Sequence, residues 1–374
     1  MKIGIDARTL KVKGGSKTYA INLLSNFKNH KDIILFGIDN FLDYKTIDEK
    51  TNQQNPLFRL YYDNIKLPNL LKKEKIDLFH GVKGIIPNSK KYKKVVTVLD
   101  LSSFVYPEFT TFKDRFYWKI ISPKSIKKAD HIITISQSTK KDLINILKIR
   151  GDKITVIYLG YNNNIFRKKD KNKSLNKLLI LLKQKNIKIQ NIKDKKIILN
   201  VNTISPRKNI QNLIKSFNIV AKYDKNLILF ISGRKGWKTK KIFEECNKSL
   251  FKNRIYFLDY IPDNIVVDLY NISEVFVYSS IYEGFGLPIL EAQACGCPVI
   301  TSNVSSMPEV AGKGAILVYP YNVSEIASAM KRVIEDKKLR NDLIKKGFEN
   351  CKKFSWEKCA KETLKVYKEV YNEK

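Results

Sequence analysis

Two doubly wound α/β domains in one chain are the architecture this sequence predicts, and three observations predict it. Short apolar strands without in/out alternation are separated by helical patterns throughout, as parallel sheets covered on both faces require. These strands fall into two series with a polar, lysine-rich gap between them, one series per sheet. The 374 residues, 43% of them hydrophobic, exceed one average domain and suit two, each able to bury a core.

In chain order, the first series is Lys2–Asp6, Ile33–Ile38, Asp77–His80, Val95–Leu99, His131–Ile135 and Ile154–Tyr158. The second is Ile197–Val201, Leu227–Ser232, Ile255–Leu258, Val275–Tyr278, Val299–Ser302 and Ala315–Val318. The domains are therefore expected at 1–162 and 196–356. Between them, Arg167–Lys173 and Lys193–Lys196 are charged and flank a short apolar helix at Leu175–Leu182. A solvated linker over 163–195 with one small packing helix accounts for this stretch; a regulatory or lipid-binding insertion is the other reading. Near the C-terminus, Phe354-Ser-Trp-Glu breaks one helix and starts another, Glu357 to Tyr371.

No continuous apolar run approaches the roughly 20 residues a spanning helix needs. The first residues, Met1-Lys-Ile-Gly-Ile-Asp, enter a strand directly without a signal-peptide core, so a cytoplasmic protein is expected. Five cysteines, Cys246, Cys295, Cys297, Cys351 and Cys359, have no zinc-like or paired spacing and read as reduced thiols. The net charge of +34 admits nucleic acid, an anionic membrane surface or an anionic substrate as partner. No zinc finger, RNP-like pattern or helix-turn-helix signal accompanies it, so nucleic acid is not expected. Peripheral contact with an anionic membrane fits better, each basic residue near such a surface contributing about 1 kcal/mol. From Glu108 to Lys128, Phe109, Phe112, Phe116, Tyr117, Trp118 and Ile120 interleave with Lys113, Arg115, Lys119 and Lys124. That pattern reads either as an interfacial helix or as an amphipathic helix packed on the sheet.

The chemistry concentrates in the second half. Glu283-Gly-Phe-Gly-Leu-Pro-Ile-Leu-Glu291 follows the strand at Val275–Tyr278 and opens a helix with proline in its first turn. A strand, a glycine turn and a helix start bring free N–H groups and a positive dipole end to one place, where an anion can sit. Two carboxylates bracketing that place suit the hydroxyls of a sugar or ribose, since an ionised carboxylate only accepts hydrogen bonds. A capping glutamate and a solvated one is the plainer reading. Val201-Asn-Thr-Ile-Ser-Pro-Arg207-Lys208-Asn209 sets two adjacent cations at a strand's carboxyl end before a helix, a pattern suited to a diphosphate. Ser232-Gly233-Arg234-Lys235-Gly236-Trp237 ends another strand, and its glycines allow close approach of backbone to a ligand.

In the first half, Lys13-Gly14-Gly15-Ser16-Lys17-Thr18 precedes a helix without matching a P-loop. His80 and Asp100 end two strands, and Ser136 is placed to cap a helix. No Asp-x-Asp pair occurs, so the sequence does not require a divalent metal.

Four stretches, Phe257-Leu-Asp-Tyr-Ile-Pro-Asp, Tyr278-Ser-Ser-Ile-Tyr-Glu-Gly-Phe-Gly-Leu-Pro, Cys297-Pro-Val-Ile-Thr-Ser-Asn and Ser306-Met-Pro-Glu-Val-Ala-Gly, strongly resemble the retaining, nucleotide-sugar-dependent glycosyltransferases of group 1 (family 4). The resemblance runs nearly end to end. It implies the GT-B fold, two Rossmann-like domains facing a cleft, with the C-terminal helix at about 357–374 packed back on the first domain. It implies transfer of a hexose, mannose as first choice, from a nucleoside diphosphate sugar to a glycan or lipid-linked acceptor in cell-surface polysaccharide or glycoconjugate synthesis.

By the same resemblance, Glu283 contacts sugar hydroxyls near the reacting carbon, and Arg207 and Lys208 hold the diphosphate. These three are the implied catalytic residues. Glu291 would take the ribose hydroxyls, with Gly284, Phe285, Gly286 and Leu287 forming the donor turn and Gly233, Arg234, Tyr260 and Ile261 lying near the base. Gly14, Gly15, His80 and Asp100 would line the acceptor side of the cleft. No cofactor or metal is implied. Two positions depart from the family: Thr203 stands where many members carry a further arginine, and Leu99 where relatives often have histidine. A GT-B nucleotide-sugar epimerase, a catalytically silent scaffold and a basic nucleic-acid-binding protein are the alternatives.

Overall fold

The computed structural model describes residues 1–12, 14–28, 31–48, 58, 61–109 and 117–373. The chain divides into two compact units, one of residues 1–160 with 355–374 and one of residues 161–354.

The first unit holds a seven-stranded parallel sheet, β1 (Ile3–Asp6), β2 (Ile33–Phe36), β3 (Lys45–Ile47), β4 (Leu78–Gly81), β5 (Lys93–Val98), β6 (His131–Thr134) and β7 (Ile154–Val156). Their spatial order is β3-β2-β1-β4-β5-β6-β7, so the chain reverses direction across the sheet beside β1, which pairs Ile3 with both Ile33 and Leu78. β3 was not legible in the sequence: its three residues, Lys-Thr-Ile, form an edge strand with no apolar run. The second unit holds six parallel strands, β8 (Lys196–Val201), β9 (Leu227–Ser232), β10 (Ile255–Phe257), β11 (Val275–Tyr278), β12 (Val299–Ser302) and β13 (Ala315–Val318). Their order is β10-β9-β8-β11-β12-β13. Here the switch lies between β8 and β11, and open α/β sheets bind ligands at the carboxyl ends of strands flanking such a point.

Within the first unit, the helix Trp356–Asn372 buries Trp356, Cys359, Ala360, Thr363, Val366, Tyr367 and Val370, a stripe at three- and four-residue spacing. Ser355 starts it by accepting a hydrogen bond from the Lys358 N–H at 3.1 Å. The chain passes Gly160 so closely that a β-carbon there would lie 2.1 Å from the Trp356 nitrogen. At the other end, the Tyr367 hydroxyl lies 2.5 Å from His80 Nδ1, and His80 Nε2 lies 2.7 Å from Thr97 Oγ1. His80 is fully buried, and desolvation pushes its pKa down to about 3. It is a neutral tie between β4, β5 and the C-terminal helix. The expectation that it faces an acceptor is therefore corrected: a ring with both nitrogens engaged in the core has nothing left to offer a ligand.

The stretch expected as a linker, 163–195, is an integral part of the second unit. Its helix, Lys171–Gln184, buries Leu178, Leu181 and Leu182 and lies along the helix Asp263–Ile272. Ser174 donates to the Asp268 carboxylate at 2.8 Å, and Lys169 and Lys177 pair with the same group at 3.4 and 3.2 Å. One turn on, Asn271 accepts from the Lys169 N–H at 2.6 Å and donates to the Arg167 carbonyl at 3.0 Å. Lysines that read as a solvated run are thus partly fixed by a buried acid far along the sequence, 99 positions from Lys169. Of the expected interfacial run, residues 110–116 lie outside the described residues, as does Lys13.

Removing only the Tyr367 hydroxyl (Tyr367→Phe) leaves a buried imidazole nitrogen unsatisfied, and should lower unfolding free energy by about 1–3 kcal/mol. A chemical-denaturation midpoint unchanged from wild type would show that the His80–Tyr367 bond does not hold this helix.

Candidate functional site

The second unit gathers its charged residues at the carboxyl ends of β8 and β11. After β8, the chain runs through Ser205 into a tight turn, Pro206–Lys208, and then through Asn209 at φ 58° into the helix Ile210–Val220. Asparagine tolerates that left-handed conformation, and its side chain is used: the amide donates to the carbonyls of Ser279 at 3.0 Å and Pro320 at 2.5 Å. The turn is braced from the other side by the loop after β9. A β-carbon on Gly233 would lie 1.5 Å from the Asn202 carbonyl oxygen, so only glycine permits that approach. Ile204 then donates to the Arg234 carbonyl and accepts from the Gly236 N–H, at 2.8 and 2.9 Å.

Arg207 and Lys208 converge on Glu283. Arg207 Nη1 donates to Glu283 Oε2 at 2.9 Å and also to the Tyr282 carbonyl. Lys208 Nζ donates to Glu283 Oε1 at 2.5 Å and to the Tyr278 hydroxyl at 3.3 Å. The three side chains are only 16%, 11% and 9% exposed, so their attraction is weakly screened. Burial alone would push the Glu283 pKa up; the fields of Arg207 and Lys208 outweigh it and hold the carboxyl at about 2. Its backbone is fixed as well: the Glu283 carbonyl accepts from Ser305 at 2.6 Å and Ser306 at 2.9 Å, and Ser306 also donates to the Phe285 carbonyl at 2.7 Å.

The glycine turn after Glu283 is built as the motif predicts. Gly286 sits at φ 114° and precedes the helix Leu287–Ala294, with Pro288 in the first turn. Gly284 is buried. Phe285 is buried with its ring edge-on to Phe354, centroids 5.9 Å apart; its side chain anchors the turn in the core. Glu291 lies one turn into that helix and shares nothing with the cations. Its neighbours are Tyr270, whose hydroxyl donates to it at 3.4 Å, and Asp263. Desolvation first, then the Asp263 charge, raises its pKa to about 8. Two glutamates eight positions apart are thus held in opposite protonation states.

The remaining candidates divide. Arg234 stacks its guanidinium over the Tyr260 ring, 4.4 Å from the centroid, and both are exposed. Ile261, by contrast, is 3% exposed and belongs to the core, so its side chain is withdrawn from the binding candidates. In the first unit, Gly14 and Gly15 open the helix Gly15–Ser25 with open space around both. Asp100 accepts from the Ser102 N–H and hydroxyl at 2.8 and 2.6 Å, a local turn contact. Thr203 is exposed beside the cation loop. Three contributors were not singled out beforehand: Tyr278, Ser305 and Ser306. Tyr278 read simply as a strand residue, and a serine that holds a carbonyl has no spacing signature. Among the described residues no cluster of three or more His, Cys, Asp or Glu side chains could hold a metal ion.

Comparison with known proteins identifies the family and the fold. Residues 183–350 match the family described as Glycosyl transferases group 1, and residues 14–164 match Glycosyltransferase Family 4. O-antigen chain mannosyltransferase B of Escherichia coli is 30% identical over 293 residues, 78% of this chain and 74% of that protein. Serotype-specific mannosyltransferase WbdA of Escherichia coli is 28% identical over 244 residues, 63% of this chain but 28% of the longer relative. Among solved structures, Anabaena Alr3699/HepE in complex with UDP and glucose superposes with a TM-score of 0.74 at 16% identity, covering 98% of this chain and 99% of that one. At that identity the likeness establishes the fold.

Two outcomes test the charge arrangement. Lys208→Met leaves Glu283 with a single cation and should cost about 3–5 kcal/mol. Because the Glu283 pKa is depressed from 4.5 to about 2, its contribution is complete above pH 4.5 and is lost as pH falls toward 2. The variant should lose less stability than wild type over that range; parallel acid-unfolding curves would contradict the clamp. Glu291 has the opposite sign. Raised from 4.5 to about 8, it makes the fold less stable as pH rises between those values. Glu291→Gln should abolish that decline, which denaturation midpoints at pH 5 and pH 8 would show.

Proposed function

Because the chain belongs to the group 1, family 4 glycosyltransferases with the two-domain GT-B fold, and is therefore a sugar-transferring enzyme, we propose that the cluster of Arg207, Lys208 and Glu283 is where the donor's diphosphate leaves the sugar. The observation that carries the reading is the convergence of two cations and one carboxylate at the β8–β11 switch point, next to the start of the helix Leu287–Ala294. A nucleoside diphosphate sugar presents an anion, a set of hydroxyls and a ribose diol. The cluster supplies a donor pair for the first and an acceptor for the second, and Glu291 an acceptor for the third.

In this reading negative charge builds on the bridging phosphate oxygen as the glycosidic bond breaks. Arg207, Lys208 and the start of the helix Leu287–Ala294 stabilise it without reorganising, because Glu283, the Tyr282 carbonyl and the Tyr278 hydroxyl already hold the cations in place. Glu283 orients sugar hydroxyls; with its carboxylate spent on two cations it is a poor covalent nucleophile. The acceptor attacks from the face the diphosphate leaves, and the departing phosphate takes its proton, so the configuration at the anomeric carbon is retained. Two cations already occupy the role a bridging divalent ion would fill, which supports a metal-independent reaction.

Relatives that carry mannosyltransferase names support mannose as the transferred sugar, and their O-antigen titles support a surface polysaccharide, lipid-linked or not, as acceptor. Work at the cytoplasmic face of an anionic membrane is part of the proposal, supported by the net charge of +34. Among the described residues no helix is long and apolar enough to cross a membrane.

The test is a thermal-shift and donor-hydrolysis screen against GDP-, UDP- and ADP-sugars, with Glu291→Ala alongside. One nucleotide series should stabilise the protein and Glu291→Ala should abolish the shift; no response to any series would overturn the donor assignment. Turnover should also survive EDTA, and its loss would remove the metal-independent mechanism.

A further inference from the structure

We propose that the surface formed by Arg167–Ile192 of the second unit docks on an anionic lipid bilayer. The assignment rests on the membrane part of the reading above and not on the sugar-transfer part. Between Arg167 and Lys195 the chain carries eleven Lys and Arg against two Asp, a net +9 in 29 residues where the whole chain averages less than a third of that density. Lys169 and Lys177 are used on buried Asp268. Arg167, Lys168, Lys173, Lys183 and Lys188 are exposed.

The shape of the surface is as informative as its charge. On one side of the helix Lys171–Gln184, a cavity of about 500 Å³ is lined by five cations, Arg167, Lys168, Lys169, Lys173 and Lys177, together with Asp170, Ser174 and Asp268. On the other side, an apolar cleft of about 370 Å³ is lined by Leu179, Leu182, Ile187, Ile189 and Ile192 and rimmed by Lys183 and Lys188. Leu179 and Ile180, on the outer face, are 37% and 58% exposed. Basic side chains around an apolar centre match lipid phosphates around acyl chains. A nucleic acid would use the charges but not the cleft, because phosphate contacts need no exposed leucine and isoleucine. The helix is also presented rigidly, since Ser174 and the Leu178, Leu181 and Leu182 stripe fix it to the helix Asp263–Ile272.

The experiment is flotation of the full chain with vesicles of phosphatidylcholine alone and of phosphatidylcholine with phosphatidylglycerol, at near-physiological salt. Wild type should partition onto the anionic vesicles and not the neutral ones. Each basic side chain at such a surface contributes about fivefold to partitioning, so Lys173→Glu/Lys183→Glu/Lys188→Glu should weaken it by at least about a hundredfold. An equal charge change elsewhere in the unit, Lys337→Glu/Lys338→Glu/Lys345→Glu, should weaken it by less than about tenfold. Leu179→Ser/Ile180→Ser should cost about tenfold with charge unchanged. Unfolding temperatures report whether each variant is folded, and Lys→Gln versions replace any charge reversal that is not. If wild type ignores anionic vesicles, the membrane reading and this surface both fail, while the donor screen above stands apart. If the two charge variants weaken binding equally, the membrane reading survives and this surface is wrong. If the apolar pair has no effect and duplex DNA competes fully with vesicles, the surface is a general polyanion site and the proposal falls.

Discussion

The charged centre of the second unit depends on one buried carboxylate. Glu283 sits on the loop after β11, its two cations on the turn after β8, and these central strands lie side by side at the sheet's switch point. Neither loop could hold its charges there alone. An isolated carboxylate or ammonium in such a site would lose several kcal/mol of hydration. Together they compensate, and the surrounding structure serves the meeting. Asn209 bends the cation turn into its helix, Gly233 lets the neighbouring loop close against it, and Ser305 and Ser306 fix the carbonyl behind Glu283. A buried ion pair adds little net stability over an apolar substitute. That desolvation cost supports the ligand-binding role proposed for the cluster.

The contrast between Glu283 and Glu291 follows from the same reasoning. Both flank one glycine turn, and from spacing alone they look equivalent. One faces two cations and stays ionised to about pH 2; the other faces a buried tyrosine and a second acid and keeps its proton to about pH 8. Glu291 then has an incentive to meet hydroxyl donors: a diol that donates to the carboxylate supplies the stabilisation that burial denied it. The two residues thus differ in kind. Glu283 organises charge that is always present, whereas in the proposed donor site Glu291 would exchange its proton for the diol's hydrogen bonds.

Much of this was legible in the sequence, for reasons that can be named. All the strands except β3 are short, largely apolar runs in the sequence, because parallel strands covered on both faces have little polar to alternate with. Glycines and proline marked the turn at Glu283–Pro288 because the backbone there needs them. What escaped was long-range. No local signal says that Asp268 will receive Ser174, Lys169 and Lys177 and fold an apparent linker into the second unit. Nor does anything near His80 reveal Tyr367, which lies 287 residues on. Phe285 and Ile261 lie in motif positions, yet their side chains point into the core. Motif membership locates a backbone segment and leaves open which way each side chain faces.

The absence of an Asp-x-Asp pair takes on a physical meaning once the cluster is described. A divalent ion bridging a diphosphate delivers two positive charges at fixed distance, and its own ligands keep it there between turnovers. In the proposed mechanism Arg207 and Lys208 would deliver the same formal charge from adjacent residues, with the Glu283 ion pairs in the part of the ligand set. The difference lies in tuning. A metal keeps its charge whatever the protein does, whereas these cations share theirs with a carboxylate, so under the proposed mechanism the field felt by the leaving phosphate would depend on where Glu283 directs its two oxygens. A sugar hydroxyl that engages one of those oxygens draws it from its cation and frees that cation for the phosphate. Binding the correct sugar and activating its leaving group would then be one electrostatic event.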